Sequence, residues 1–599
     1  YTNSTAQHFL VPDDFATIYD VQSLYSPGGL DGTGQTIAII GQSQINTSDI
    51  DSFRAAGAAN LPPRTAANFV ERQVPNSGSA VIVSGDVGES SLDLEWAEGV
   101  APGVKEVFVF VGNSSNFSAF DSLLYAIDNN VAPIISSSYG NCEQNLPAAF
   151  QTQLQTETQK AAMLGITVVS ASGDFGAADC DSSPGLPAQG GLGVDMPGSS
   201  PYVTSIGGTT FTGDASNPGN FWNATNNMTH NGSVKSYIAE GTWNDTALVN
   251  ALSATGGGAS LLFSKPSWQT GTGVPADGER DVPDVALAAS PNHDGYLLCV
   301  NDPGGNGNPA VLPCTSGFGD TNGNLDVAGG TSFGAPAFAG IVAILLQKAG
   351  APQGNLNPTL YALAASTPSA FHDITSGNNI VPCQVGTPDC TSGTYGYNAG
   401  TGYDLVTGLG TIDANVLITN WNAGNPTTAD FTMFGDTVGI AAPGGSGTST
   451  ITIDARNGYS GTINFTCTAP TSAKIGCSVT GGPVILNGTT KSATITLSIT
   501  TASAGLTPGS MPLWFTGSGA VFAGVLIFGV RAQRRRWAIA ATLVALALLA
   551  AAVGCGGSSS SSGGGGTGTP AGNYTVTVTG TGTDANATTH TTSVIVAVL

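Results

Sequence analysis

The chain has 599 residues, too many for one domain and ample for a large core. Only 9% of them are charged, 16 basic against 40 acidic, for a net charge of −24. That balance excludes a nucleic-acid binder, which needs basic surface to neutralise phosphates. Excess acid with little Lys suits an exported protein that works at low pH, where carboxylates lose charge. The nine cysteines fall in close couples: Cys142 with Cys180, Cys299 with Cys314, Cys383 with Cys390, Cys467 with Cys477, and Cys555 left over. With no C-x-x-C and no Cys/His cluster, they read as disulfides of an oxidising compartment rather than zinc ligands. The chain opens at Tyr1 with neither Met nor a signal peptide, so an upstream segment, a prosegment included, is expected.

In chain order, short apolar runs alternate with helical stretches through the first 420 residues. TIAIIG (36–41), KEVFVFVG (105–112), APIISSS (132–138) and ITVVSAS (166–172) read as strands. DIDSFRAAG (49–57), FSAFDSLLYAIDN (117–129) and 145–165 read as the helices between them. The alternation predicts a doubly wound parallel sheet, whose ligands lie beyond the carboxyl ends of the strands. Ser138-Tyr139-Gly140 and Asp174 both follow strand ends and are expected to edge one cleft.

The stretch Asp326-Val-Ala-Gly-Gly-Thr-Ser332-Phe-Gly-Ala-Pro336 delivers a Ser to the start of a long apolar helix. Pro336 is expected in its first turn, where Pro is tolerated because the first amides have no intrahelical partner. A hydroxyl there faces unpaired N–H groups and the positive end of the dipole, which suits a nucleophile that generates an oxyanion. A simple helix cap is the ordinary alternative. Upstream, Gly88-Glu89-Ser-Ser-Leu-Asp93 sets two carboxyls four residues apart, on one face if helical. Such a pair shares a proton and splits its pKa values; a solvated acidic face is the ordinary alternative, and Glu95 and Glu98 fit it. Asp174 lies in a Gly-bounded turn, where Asp usually bonds its own backbone. None of the five histidines has a context suited to a Ser–His–Asp triad. The Glu89/Asp93 pair is therefore the available proton acceptor.

These motifs carry a family resemblance. G-E-x-x-L-D (88–93), S-G-D (172–174), R-D-V-P-D-V (280–285), G-G-T-S-x-x-x-P (329–336) and G-x-G-Y-D-L-V-T-G-L-G (400–410), in this order, resemble the sedolisins, the serine-carboxyl peptidases of subtilisin-like fold. The resemblance implies Ser332 as nucleophile, Glu89 as general base, Asp93 as its orienting partner and Asp174 in the oxyanion hole. Tyr139 and Tyr403 stand where the family often has Trp, which bears on subsite shape. A carboxylate base titrates near pH ~4 when unperturbed, and an Asp beside an oxyanion donates only when protonated. Both demands predict peptide hydrolysis in acid, with an optimum well below neutrality.

Asp373-Ile374 and Ala399-Gly400-Thr-Gly402-Tyr-Asp404 offer two carboxylates and an irregular Gly-rich loop, a donor set for a hard cation. The resemblance implies one structural Ca²⁺ held by the Asp373 and Asp404 side chains and the carbonyls of Ile374, Gly400 and Gly402. The run Asp320–Asp326 lacks Gly at the sixth loop position and reads as a polar turn.

Beyond the peptidase-like region (1–424) the pattern turns to short alternating strands, an all-β, immunoglobulin-like sandwich at 425–505. Two apolar segments, 511–530 and 537–554, flank RAQRRR (531–536) and predict a transmembrane hairpin with its basic connector in the cytoplasm. A Gly/Ser linker (555–570) leads to a short β tail (571–599). The reading is an extracytoplasmic, membrane-tethered, monomeric acid endopeptidase acting on proteins or peptides. The alternatives are a tripeptidyl-peptidase-type exopeptidase of the same family and an inactive surface adhesion protein.

Overall fold

The computed structural model describes the chain apart from residues 26–28, 58–63, 182, 305–313, 315–316, 321–323, 425–429, 436–437, 457–458, 471–472, 488–489, 491, 504–567, 571, 584–588 and 599. The expected spans at 511–530 and 537–554 lie outside the described residues, as does most of the 555–570 linker. Two compact units emerge, one of Tyr1–Phe434 with Ile453–Ser460 and Leu486–Ser492, the other of Gly435–Thr452, Gly461–Ile485 and Ala493–Leu599.

The first unit is built on an eight-stranded sheet. Its strands are β1 (Thr36–Gly41), β2 (Phe69–Gln73), β3 (Lys105–Phe110), β4 (Ile134–Ser137), β5 (Thr167–Ala171), β6 (Val203–Phe211), β7 (Glu240–Thr242) and β8 (Val285–Ala288). The order is β8-β6-β5-β4-β1-β3-β2, all pairs parallel, with β7 antiparallel on β6. From β1 the chain passes to the edge at β2, returns to β3 beside β1, and then crosses to β4 and winds outward, so the crevice for a ligand opens where β3 and β4 flank β1. Near-continuous apolar burial of β1, β3, β4 and β5 is what a sheet covered on both faces demands.

Among its helices are α1 (Thr47–Gly57), α2 (Val87–Val100), α3 (Ala119–Asp128), α4 (Ala148–Met163) and α5 (Thr331–Ala349). Ser118 and Asp121 close the start of α3, with the Ser118 N–H donating to Asp121 Oδ2 at 2.8 Å. Helix α5 is apolar enough to cross a membrane, but it is the buried central helix of this unit. Helix α2 is buried along its length, which rules out the solvated acidic face: Asp93 and Glu95 are fully enclosed. Glu95 accepts the Cys299 N–H at 3.0 Å, and Glu98 pairs with Arg54. Gly340 lets α5 lie tightly along α2, since a Cβ there would come within 2.9 Å of the Ala97 carbonyl and the Val100 side chain. That contact brings the N-terminal ends of the two helices together. Trp96 of α2, Tyr296 and Phe333 of α5 stack in series, with centroids 4.6 and 4.5 Å apart, and lock the residue beside Ser332.

All four expected cysteine couples are disulfides. In the second unit β9 (Val438–Ile440), β10 (Gly461–Thr468), β11 (Val484–Leu486), β12 (Gly572–Gly582) and β13 (Thr589–Val598) form one sheet in the order β9-β13-β12-β10-β11. Strands 446–456, 492–501 and 475–480 neighbour one another in a second sheet, and Cys467–Cys477 joins the two sheets. The expectation of a separate C-terminal tail is corrected here. Strand β12 pairs with β10 over six positions, Cys467 opposite Val578 among them, so the last hairpin is integral to the same sheet.

Candidate active site

Gly330 caps α5 with φ +116°, a conformation reserved for glycine. A Cβ at this position would also meet Asp174 Oδ2 at 2.6 Å. This turn aims Thr331 and Ser332 at the cleft. Ser332 is the second helical residue rather than the cap, which excludes the simple capping role. Pro336 lies in the second turn, not the first as expected. Its missing N–H would have bonded the carbonyl of Ser332, so that carbonyl is released from the helix ladder.

Ser138, just past β4, fills the gap. Its Oγ lies 3.1 Å from the Ser332 carbonyl and 2.5 Å from Asp93 Oδ1. One hydroxyl hydrogen cannot serve two acceptors. Both contacts are satisfied when Asp93 carries the proton and donates to Ser138, which in turn donates to Ser332. Asp93 is wholly enclosed and its Oδ2 has no hydrogen-bond partner, an environment that favours the neutral acid.

One turn earlier on α2, the Glu89 carboxyl faces the Ser332 and Ser138 hydroxyls, each of which favours its ionised form. Glu89 is half-buried as a residue, yet its Oε1 is shut off from solvent with no partner. Burial lifts the pKa of both carboxyls. Asp93 is raised further by the Glu89 charge and drawn down less by Ser138, whereas the Ser332 hydroxyl pulls Glu89 down ahead of the repulsion from Asp174 and Asp86. Glu89 therefore ionises first and Asp93 keeps its proton. Asp174, at the end of β5, receives the Thr331 N–H and hydroxyl on Oδ1, each at 2.8 Å, and burial raises its pKa as well. The Thr331 amide is thus spent on Asp174 and the Phe333 amide on the Gly330 carbonyl at 3.2 Å. Ser332's own amide stays uncommitted among the described residues, beside the Asp174 carboxyl.

Ser138, Asp174, Thr331 and Ser332 line a cleft of about 480 Å³, with Asp179 and Asp195 on its wall. The sequence reading missed both of those acids, and Thr331 as the clamp on Asp174; Asp179 follows five residues after the S-G-D motif but carries no motif of its own. A second hollow of about 580 Å³ is lined by Asn244, Asn250, Asn378 and apolar neighbours, without a titratable side chain to perform acid–base chemistry. The structure thus brings Ser332, Glu89, Asp93 and Asp174 together from three distant stretches. At position 139 the hydroxyl of Tyr, where Trp is frequent among sedolisins, donates to Asp86 Oδ1 at 3.0 Å.

The second candidate, the cation loop, also closes on itself. The Gly402 N–H donates to Asp373 Oδ2 and the Gly400 N–H to Asp404 Oδ2, both at 3.0 Å. Among the described residues no hydrogen bond ends on the carbonyl oxygens of Ile374, Gly400 or Gly402. Two carboxylates beside three unclaimed carbonyls fit a hard cation such as Ca²⁺.

A doubly wound parallel sheet with a serine at the head of its central helix defines a catalytic domain of the subtilisin-like class. The family model described as the subtilase family matches residues 76–360. The chain belongs to the sedolisin family. It is 34% identical over 410 residues to kumamolisin of Bacillus sp. (strain MN-32), covering 66% of this chain and 61% of that one. To sedolisin of Pseudomonas sp. (strain 101) it is 32% identical over 415 residues, covering 67% and 59%. Tripeptidyl-peptidase 1 of Dictyostelium discoideum is 29% identical over 396 residues, covering 63% and 53%. The chain thus spans 61% or less of the length of these relatives. Among solved structures, Pseudomonas sedolisin complexed with two molecules of pseudo-iodotyrostatin superposes with a TM-score of 0.53 at 27% identity, covering 70% of this chain and 99% of that one.

Proposed function

We propose that the protein is a serine-carboxyl endopeptidase that hydrolyses peptide bonds in acid. The observation that carries this reading is the convergence of the Ser332 hydroxyl on the Glu89 carboxyl, with Asp93 behind it and no imidazole in its place. Ser332 Oγ attacks the scissile carbonyl as Glu89 takes its proton, and the C–O bond forms. The oxygen that gains the charge receives hydrogen bonds from the Ser332 amide and protonated Asp174. Glu89 then returns the proton to the leaving amine as the C–N bond breaks. Water enters by the same steps in reverse order of partners and frees Ser332. Asp93 remains neutral throughout and holds the Ser138 hydroxyl, which in turn lies beside Glu89. The proton that arms Asp174 also removes a repulsion that raises Glu89, so one protonation serves both ends of the site.

One Ca²⁺ held by Asp373, Asp404 and the carbonyls of Ile374, Gly400 and Gly402 would pin the loop by charge neutralisation, away from the chemistry. Tethering by a membrane hairpin at 511–530 and 537–554 is supported by the second unit. The Thr569 N–H donates to the Ala502 carbonyl and the Ala502 N–H to Thr569 Oγ1, each at 2.9 Å. The intervening chain must therefore leave and return on one side, which two crossings satisfy and one does not. The peptidase would face the extracytoplasmic side as a monomer, with the β sandwich as spacer. Tripeptidyl-peptidases among the relatives favour an exopeptidase as the second reading. A peptide-library digest across pH, with and without chelator, decides: internal cuts at acid pH that vanish in Ser332→Ala support the endopeptidase, tripeptide release supports the alternative, and no cleavage by the intact protein refutes both.

A further inference from the structure

Away from the cleft, Asp214, His293 and Asp294 present one donor atom each within 4.8 Å of one another. His293 Nε2 lies 3.0 Å from Asp214 Oδ1 and 3.3 Å from Asp294 Oδ2. An imidazole nitrogen carries at most one hydrogen, and the shorter contact claims it. Asp294 Oδ2, on a side chain only 5% exposed, accepts no hydrogen bond and faces the His293 ring and the Asp214 carboxyl. Asp214 is 1% exposed, and its other oxygen, Oδ2, is fixed by the Trp222 indole N–H at 2.8 Å. An outer hydrogen bond of that kind orients a carboxylate whose free oxygen serves as a ligand.

We infer that these three side chains form a second metal site, for a late first-row dication such as Zn²⁺. Zinc holds imidazole nitrogen and carboxylate oxygen at about 2.0–2.2 Å, so neighbouring ligands lie roughly 3.0–3.4 Å apart in octahedral or tetrahedral geometry. The two measured separations fall in that range. One nitrogen and two oxygens suit zinc and its neighbours better than the all-oxygen set Ca²⁺ prefers. His293 is 40% exposed, which gives an ion and its remaining waters a way in. The ion would fasten the loop after β8 to the segment after β6, joining stretches about 80 residues apart in sequence. At its start that loop also holds the nucleophile turn, because the Ala289 carbonyl accepts the Gly330 N–H at 2.7 Å.

The test uses the full chain carrying Ser332→Ala, cleared with chelator and returned to excess Ca²⁺ at pH 7.5. Titration with ZnCl₂ is followed by calorimetry and thermal melting. The expected result is one saturable equivalent and a rise in Tm of about 2–5 °C at a hundredfold excess over Kd, both lost in His293→Ala and in Asp294→Asn. No saturable binding, or binding that persists in both variants, overturns the inference.

Discussion

Replacing Ser138 by Ala tests the proton arrangement behind the nucleophile. Among the described residues, the substitution removes the one hydroxyl that reaches Asp93 Oδ1 (2.5 Å) and the Ser332 carbonyl (3.1 Å). That carbonyl has no helical donor because residue 336 is Pro. Each buried polar group left without its partner costs about 1–3 kcal/mol, so a loss of about 2–4 kcal/mol in stability is expected. The hydroxyl that faces both Asp93 and Glu89 is gone, and kcat on a fluorogenic peptide at acid pH should fall about 10- to 100-fold with KM little changed, since a misplaced base loses part of the 10²–10⁴-fold that such catalysis contributes. Ser138→Thr keeps the hydroxyl and should recover most of both losses. Adding Pro336→Ala to Ser138→Ala supplies an N–H for the Ser332 carbonyl; Tm should partly recover while kcat does not. A Ser138→Ala enzyme with parental kcat and an unchanged pH profile would refute the reasoning.

Asp174→Asn donates a hydrogen bond at every pH, so the alkaline limb of kcat/KM should move upward or disappear while the acid limb stays; a profile with its alkaline limb in place means another group sets it. Stability should decline as pH rises. Burial lifts Glu98 to about 7 and Asp281 to about 6, with Glu95 and Glu106 well above the carboxylate range. Their unfolded values are near ~4.5 or lower, so the folded state binds more protons; full stability holds below ~4.5 and is lost as pH climbs through 6 and 7. Calorimetry of Ser332→Ala should show Tm falling between pH 5 and 8, and a flat or rising Tm contradicts this. Chelation at pH 5 should lower Tm, and Asp404→Asn should remove that sensitivity without abolishing secondary structure by circular dichroism.

Ser332, Glu89, Asp93 and Asp174 could be singled out because each stands in a short motif at a strand or helix end. Strands β1, β3, β4 and β5 were legible as apolar runs. Strand β2 escaped because FVERQ is polar on a half-covered edge, and β6 because its Gly-Gly pair reads as a turn. Those glycines are needed for packing: a Cβ on Gly207 would lie 2.6 Å from Pro283, and one on Gly208 2.7 Å from Ala289. The position of Pro336 was misjudged because the helix begins at Thr331, five residues earlier. The Asp214–His293–Asp294 grouping has no local signature, since loop geometry alone unites it. The pairing of β10 with β12 was illegible for a similar reason: about a hundred residues separate the partners, and strand pattern carries no address.

The mutual hydrogen bonds of Ala502 and Thr569 have a practical consequence. A chain deleted for 504–567 and rejoined through a few glycines would conserve every described strand of its β unit. Under the proposed membrane tether, such a shortened protein should remain in solution without detergent, which makes it the natural starting material for crystals.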